Sequence, residues 1–467
     1  MTQTVQLPLW LFVLIVLFAM VTFASHFLFP SVRWFFRRRL ERGVRRLNRR
    51  LARPIEPFKL ARRHDMIQRL IYDPQVMAEI VNYAREHDVP ENVAFEKATD
   101  YAREIVPSFS AVAYFSFGIR ASRLLAKTLF SVRTGAENEA RLRSVPQDAT
   151  VVFVMNHRSN MDYVLVTYLA GELSALSYAV GEWARVWPLS GLIRSMGAYF
   201  IRRKSRGALY RKVLARYVQM AIAGGVSQGI FPEGGLSLDG RVAPPKLGLL
   251  SYVVDGHEPV GRDVVFMPVA INYDRVLEDN VLIAAGLRGD RRFGARVTVI
   301  ARYLLRKMGQ ALRGHYSRFG AAAVVFGEPL SLNVFGPDRP VELLGDELID
   351  RIRDTMPGLY IPLLAYALDA ADGPVSRDDL ADQVSQMARQ LGPLFLGGPE
   401  GERDDAMAFA INKLRGNKVI AVEPEGISIL PGQEHKVRFY ANSIAHHFEA
   451  DPPDAATANK IAATARL

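Results

Sequence analysis

The chain has 467 residues, 49% of them apolar, and no cysteine, so it can bury two or three sizeable cores but can hold neither a disulfide nor a thiolate metal site. Its formal net charge of +11 invites a nucleic-acid interpretation, but the charge is confined to one stretch. From Ser31 to Arg63 twelve arginines and one lysine face only Glu41 and Glu56, which accounts for the whole net charge and leaves the remainder neutral.

Upstream of that collar, Leu7 to Phe29 contains no acidic or basic side chain except His26. At 1.5 Å per residue a helix of this length spans a hydrocarbon core of roughly 30 Å, so residues 1–30 are expected to be a transmembrane anchor. A cleaved signal peptide is the alternative; the leading residues lack the usual Lys or Arg, and the run is long for one. The positive-inside rule then puts the Arg-rich collar, residues 31–63, in the cytoplasm against anionic headgroups. The expected location is the cell (inner) membrane, single-pass, with the rest of the chain cytoplasmic. Residues 64–144 are expected to be helical. Ile67, Leu70, Ile71, Val76 and Ile80 recur at helical spacing, and Pro107 ends that segment. Ser108 to Val132 is strongly apolar, with Arg120, Arg123 and Lys127 on one helical face. A spanning helix would bury three cations, so an interfacial helix or an ordinary buried one is expected instead.

Residues 145–335 alternate apolar runs with helical stretches, which predicts an α/β domain, a mixed sheet flanked by helices. Strands are expected at Val151–Met155, Ser177–Val180, Gln228–Pro232, Val264–Ile271 and Ala322–Phe326, and helices over 161–170 and 207–223. Residues 276–320 form an Arg-rich insertion of no legible role. From 336 to 450 the pattern is mostly helical. Two helices, the first capped by Ser376, precede strands at Lys418–Val422 and Ile427–Leu430, a winged-helix-like order. Between Ser376 and Val437 seven Lys/Arg meet ten Asp/Glu, a net −3 that would repel phosphates, so no nucleic-acid partner is expected. The tail, 451–467, has the composition of a disordered segment.

The chemistry starts where the strand Val151–Met155 ends. His157 and, five residues on, Asp162 follow it directly. A histidine can take the proton of a hydroxyl, and a nearby carboxylate can fix its tautomer and stabilise the imidazolium. With no cysteine and no Gly-x-Ser-x-Gly elbow, the pair implies activation of a substrate hydroxyl rather than a covalent enzyme intermediate. His-x4-Asp alone is a weak signal. Three further segments accompany it: Gly197–Arg203, Ile230–Gly235 and Phe266–Asn272, each a short apolar run beside charged or glycine residues. Strand ends in α/β sheets are where sites are built.

These four blocks, in this order and spacing, resemble those of the glycerolipid acyltransferases, in particular the membrane-bound glycerol-3-phosphate acyltransferases of bacteria and mitochondria. The stretch Gly240 to Leu250 and the segment Phe439 to His446 extend the resemblance, which covers roughly residues 90–448. It implies transfer of a fatty acyl group from acyl-CoA or acyl carrier protein to the sn-1 hydroxyl of glycerol 3-phosphate, with anionic membrane lipids as a further partner and neither cofactor nor metal. His157 and Asp162 would be the catalytic pair. Arg158, Ser159, Arg202, Arg203, Glu233, Gly234, Gly235, Arg241, Lys246 and Pro268 would bind substrate. The two arginines of the second block would meet the phosphate, where a guanidinium fork suits it. The glycines of the third would let backbone approach the ligand, and Pro268 would shape the acyl pocket. Two positions depart from the family pattern: Leu236 stands where an arginine is usual, and Asn160 where a histidine is frequent. The same blocks serve lysophosphatidate acylation, dihydroxyacetone phosphate is a third possible acceptor, and a non-catalytic membrane scaffold is the alternative of another class.

Overall fold

The computed structural model describes residues 8–171, 174–181, 189–202, 207–258, 261–289, 319–397 and 403–449, without the side chains of 21–37, 39–40, 170, 189 and 403–405. The chain divides into two compact units, 1–55 and 56–467.

The first unit is built on one helix, Leu9–Asn48, with Arg45 and Arg46 in its last turn, where cations suit the helix dipole. Leu9, Trp10, Phe12, Leu14 and Phe18 are exposed on it. Among the described residues no helix is long and apolar enough to cross a membrane. The run expected to span, Leu7–Phe29, falls partly outside the description, at residue 7 and at the side chains from 21 onward.

In the second unit the helices Arg63–Ile71, Pro74–Glu86 and Glu91–Ile105 bury the apolar positions read from the sequence. Asp73 caps the second of them, accepting from the Gln75 N–H ahead of Pro74 at the first helical position. The stretch 108–132 is not one helix. A π-helical turn, Ala113–Gly118, runs into the α-helix Ile119–Leu129, and Phe130–Thr134 then leaves it as a strand. Pairing decides this: β1 (Phe130–Thr134) lies parallel to β7 (Gly320–Phe326), where the sheet supplies the hydrogen bonds a longer helix would have made itself. The helix Ile119–Leu129 buries Ile119, Ser122, Ala126 and Leu129. Arg120, Arg123, Leu124 and Lys127 stay exposed, as does Phe117 just before it.

The eight-stranded sheet has the order β1-β7-β6-β2-β5-β3-β4, with β8 (Leu330–Ser331) also pairing with β6. Its remaining strands are β2 (Thr150–Met155), β3 (Ser177–Gly181), β4 (Tyr199–Ile201), β5 (Gln228–Ile230) and β6 (Val264–Tyr273). Strands β6, β2, β5, β3 and β4 are parallel, while β7 and β8 run antiparallel to β6, so the sheet is mixed. Every residue of β2 and β6 is buried, as expected of central strands covered on both faces, and this is why they read as unbroken apolar runs. The five expected strands are present, with β6 running two residues further than its apolar run. Most of the insertion expected over 276–320 lies outside the described residues, apart from the helix Asp279–Arg288.

After the sheet come the helices Val341–Asp354, Tyr360–Asp369, Arg377–Leu391 and Arg403–Gly416, with Ser376 capping the third. An antiparallel pair follows, β9 (Ile420–Glu423) and β10 (Gly426–Ile429), and then the helix Glu434–Ala441. This C-terminal segment shares one apolar core with the sheet, from Val151 and Phe266 through Leu348 and Leu364 to Phe439.

Candidate active site

Parallel strands deliver their carboxyl ends to one edge of a sheet, and the loops leaving those ends meet there. The β2 exit carries His157 and Asp162. Asp162 opens the helix Asp162–Gly171 and is fully buried. Its Oδ2 accepts the backbone N–H groups of Arg158 (2.8 Å) and Ser159 (3.0 Å), which folds the loop around the carboxylate. The same oxygen lies 2.9 Å from His157 Nδ1. Since Asp162 also receives a hydroxyl on Oδ1 from Tyr273 at 2.5 Å, it is an acceptor throughout. His157 therefore meets it through Nδ1–H and keeps its Nε2 lone pair on the far side of the ring. The imidazole is stacked on Phe231 at 4.1 Å between centroids, with the Tyr163 ring edge-on at 5.5 Å.

Glu233, from the β5 exit, fixes the main chain of the same residue. Its Oε1 accepts the His157 N–H at 2.7 Å, and its Oε2 accepts the Ala243 N–H at 2.9 Å. Burial pushes its carboxyl up to about 7, against the opposing pull of the two N–H donors. The sequence suggests that Glu233 bonds substrate hydroxyls or orients an arginine; here both oxygens hold backbone. Gly234 sits at φ +65°, a left-handed conformation that favours glycine, and a Cβ there would also push aside the Lys246 side chain, whose Cδ would lie at 2.7 Å. Its N–H closes a turn onto the Phe231 carbonyl. The Lys246 N–H in turn donates to the Pro232 carbonyl, which draws the lysine over this turn.

A cavity of about 330 Å³ opens beside the imidazole. Ala179, Gly181, Ile201, Ile230, Leu249 and Leu250 give it an apolar wall. His157, Gly234, Gly235 and Lys246 also line it, with the Tyr163 and Phe231 rings beside the imidazole. Of the residues singled out from sequence, the structure thus gathers His157, Glu233, Gly234, Gly235 and Lys246 around one point, with Asp162 behind the histidine.

The others stand apart. Arg158 is buried, donates to the Gly240 carbonyl, and lies 5.1 Å over the Phe439 ring. Ser159 gives its hydroxyl to Glu278 at 2.8 Å. Arg202 is gripped by Glu104, Nε at 2.9 Å and Nη2 at 2.6 Å, and lies over the Tyr101 ring. Arg203 lies outside the described residues. Arg241 pairs with Glu449 at 3.2 Å and lines a second cavity of about 710 Å³ together with Glu233, Gly235, Arg353 and Arg438. Pro268 is buried in mid-β6 opposite Val154, five residues before the strand end, and is not among the residues lining the His157 cavity.

Three residues of the site have no local signature in the sequence. Asn156 bonds both the N–H and the carbonyl of Ile271, locking the β2 exit to β6. Tyr273 holds Asp162. Glu278 accepts from Ser159 Oγ and from both the N–H and the side-chain amide of Asn160. Polar residues directly beyond the fourth apolar block were the available hint.

Residues 138–272 match the family model described as Acyltransferase. The chain is 31% identical over 324 residues to a glycerol-3-phosphate acyltransferase of Xanthomonas campestris pv. campestris, a match covering 68% of this chain and 35% of that protein. It is 27% identical over 429 residues to the protein of that name from Colwellia psychrerythraea, covering 84% of this chain and 50% of the relative. It thus spans between a third and a half of the curated relatives it matches. Among solved structures, the 1-acyl-sn-glycerophosphate (LPA) acyltransferase from Thermotoga maritima aligns over 51% of this chain and 76% of that one, at 22% identity and a TM-score of 0.32. His157, Asp162 and Glu233 all lie within the segment that matches the acyltransferase family model.

Proposed function

We propose that the chain acylates the sn-1 hydroxyl of glycerol 3-phosphate from an acyl thioester, acyl-CoA or acyl carrier protein, at a membrane. The observation that carries this is the His157 Nδ1–Asp162 Oδ2 contact of 2.9 Å beside a cavity with an apolar wall. In this mechanism His157 Nε2 takes the proton of the attacking hydroxyl as oxygen bonds to the thioester carbon, and Asp162 stabilises the imidazolium. The tetrahedral intermediate collapses, the C–S bond breaks, and the thiolate leaves with the proton returned by His157. The apolar wall suits the acyl chain, and Lys246 supplies positive charge to the same cavity. The names of the relatives support glycerol 3-phosphate as acceptor. Leu236 in place of an arginine favours lysophosphatidate as the second reading.

Membrane attachment rests on three features. The first is the apolar run Leu7–Phe29 with its Arg-rich collar, read as a single inner-membrane span with the enzyme cytoplasmic. The second is the exposed face carrying Phe117, Leu124, Arg120, Arg123 and Lys127, which suits an anionic lipid surface. The third is the neutral balance of the rest of the chain, which leaves the basic charge nowhere else to act. The helix, helix, hairpin order over 377–429 supports the winged-helix-like description of the C-terminal segment.

The test assays full-length protein in lipid-containing micelles with glycerol 3-phosphate, lysophosphatidate and dihydroxyacetone phosphate, each against acyl-CoA and acyl carrier protein. Preferred turnover of glycerol 3-phosphate to its 1-acyl product supports the proposal. Turnover of lysophosphatidate alone replaces it with the second reading, and no transfer with any pair leaves the scaffold.

A further inference from the structure

Tyr273 is the last residue of β6 and lies outside the blocks that carry the family likeness. Its ring is fully buried and packs against Phe130, with centroids 5.3 Å apart. Its hydroxyl reaches Asp162 Oδ1 at 2.5 Å, while His157 and two backbone N–H groups share Oδ2. The carboxylate is thus divided, one oxygen for the imidazole and its loop, the other for the phenol.

We propose that Tyr273 is a positioning residue that sets both the orientation and the basicity of the His157–Asp162 pair. This rests on His157 acting as the base of acyl transfer. The argument is electrostatic and geometric. A donor on Oδ1 draws charge from the carboxylate, so the imidazolium across Oδ2 is stabilised less than it would be by a naked carboxylate. The same bond prevents the carboxyl from rotating about its Cβ–Cγ axis and exchanging its oxygens. Glu278, four residues past Asp274, completes the brace from the same strand exit by holding Ser159 and Asn160 between the two catalytic residues. The charged and titratable groups facing this pair are Arg158, Glu233 and Glu278, each in electrostatic contact with Asp162, and Tyr163 and Lys246, which line the cavity with His157; all are unchanged by the substitution below. Burial keeps the phenol well above its ordinary range, so it remains a donor over the whole working pH range.

Tyr273→Phe retains the packing and removes the donor. In the full-length protein, the acid limb of kcat/KM for the phosphate acceptor should move to higher pH by up to about one unit, the scale of one charge-assisted hydrogen bond. At the pH optimum kcat should fall about tenfold with KM for both substrates nearly constant, as for an interaction used in the transition state only. Site-specific 3-fluorotyrosine at 273, whose more acidic phenol is a stronger donor, should move the same limb to lower pH, and it serves where the phenylalanine variant does not fold. His157→Ala is measured alongside. If His157→Ala is inactive while both Tyr273 variants leave the acid limb and kcat at wild-type values, Tyr273 is a packing residue and the proposal is overturned. If His157→Ala retains turnover, it is the underlying acyl-transfer mechanism that fails.

Discussion

Glu233 gives the sharpest prediction, because its carboxyl performs two tasks that pull in opposite directions. Both oxygens accept backbone N–H groups, which favours the anion, yet the side chain is buried, which favours the acid, and burial prevails. An acid whose folded value lies above its unfolded value binds more protons in the native state. The fold therefore carries no penalty from this group below its ordinary value of 4.5, and loses stability as pH rises through about 7. The interval from 4.5 to about 7, at 1.36 kcal/mol per pKa unit, corresponds to roughly 3 kcal/mol. Glu233→Gln removes the titration. It also turns an amide N–H toward the Ala243 N–H, an unmade hydrogen bond costing about 1–3 kcal/mol at every pH. The wild type should thus be more stable than the variant near pH 5, and its advantage should shrink by about 2.5 kcal/mol by pH 8, since pH 5 already lies inside the interval. Urea unfolding of the full-length proteins in micelles, followed by circular dichroism at both pH values, measures that double difference. Asp274, also pushed up by burial, to about 6, is common to both proteins and cancels. Parallel pH dependences for the two proteins would refute the claim that Glu233 takes up a proton inside the fold.

Three further outcomes follow from the site and the surface. His157→Ala should cost 10²–10⁴-fold in kcat, the usual range for a lost general base, with the unfolding transition unchanged by circular dichroism. Lys246→Ala should raise KM for the phosphate acceptor more than it lowers kcat, which steady-state kinetics with the acyl donor saturating will show. Exchanging Arg120, Arg123 and Lys127 for glutamate, in protein lacking residues 1–30, should weaken co-sedimentation with anionic vesicles by about 1 kcal/mol per cation, and the wild-type surface should lose the same binding in high salt.

The His157–Asp162 contact was legible because it is local: Asp162 lies five residues after His157, and the apolar run before them is a buried central strand. The same logic made β2, β3, β5, β6 and β7 readable, since strands covered on both faces cannot avoid long apolar runs. It failed at β1, whose Phe130–Thr134 continues an apolar helix without a break in composition; only pairing with residues 190 positions away separates the two. Tyr273 and Glu278 were hidden for a related reason. Their partners lie more than 110 residues upstream, and no periodicity encodes such a contact. The expectation for Arg202 was incomplete in the same way, because Glu104, which grips it, sits on a helix 98 residues earlier.

Sheet order then decides which blocks can act together. The strand carrying His157, β2, has β5 on one side and β6 on the other. The residues after β5 and at the end of β6 are therefore nearest neighbours of the histidine loop, and they provide Glu233, Tyr273 and Glu278 as its supports. The second block is different. β4 is the edge strand, three places from β2, and at about 4.8 Å per step this separates their ends by about 14 Å. An arginine at the β4 end must both release Glu104 and extend across β3 and β5 to reach His157. Lys246, drawn over the turn after β5, itself lines the His157 cavity. Lys246, in the third block's extension, is thus a cation already at the His157 cavity, while Arg202 ties β4 to the helix Glu91–Ile105 through Glu104.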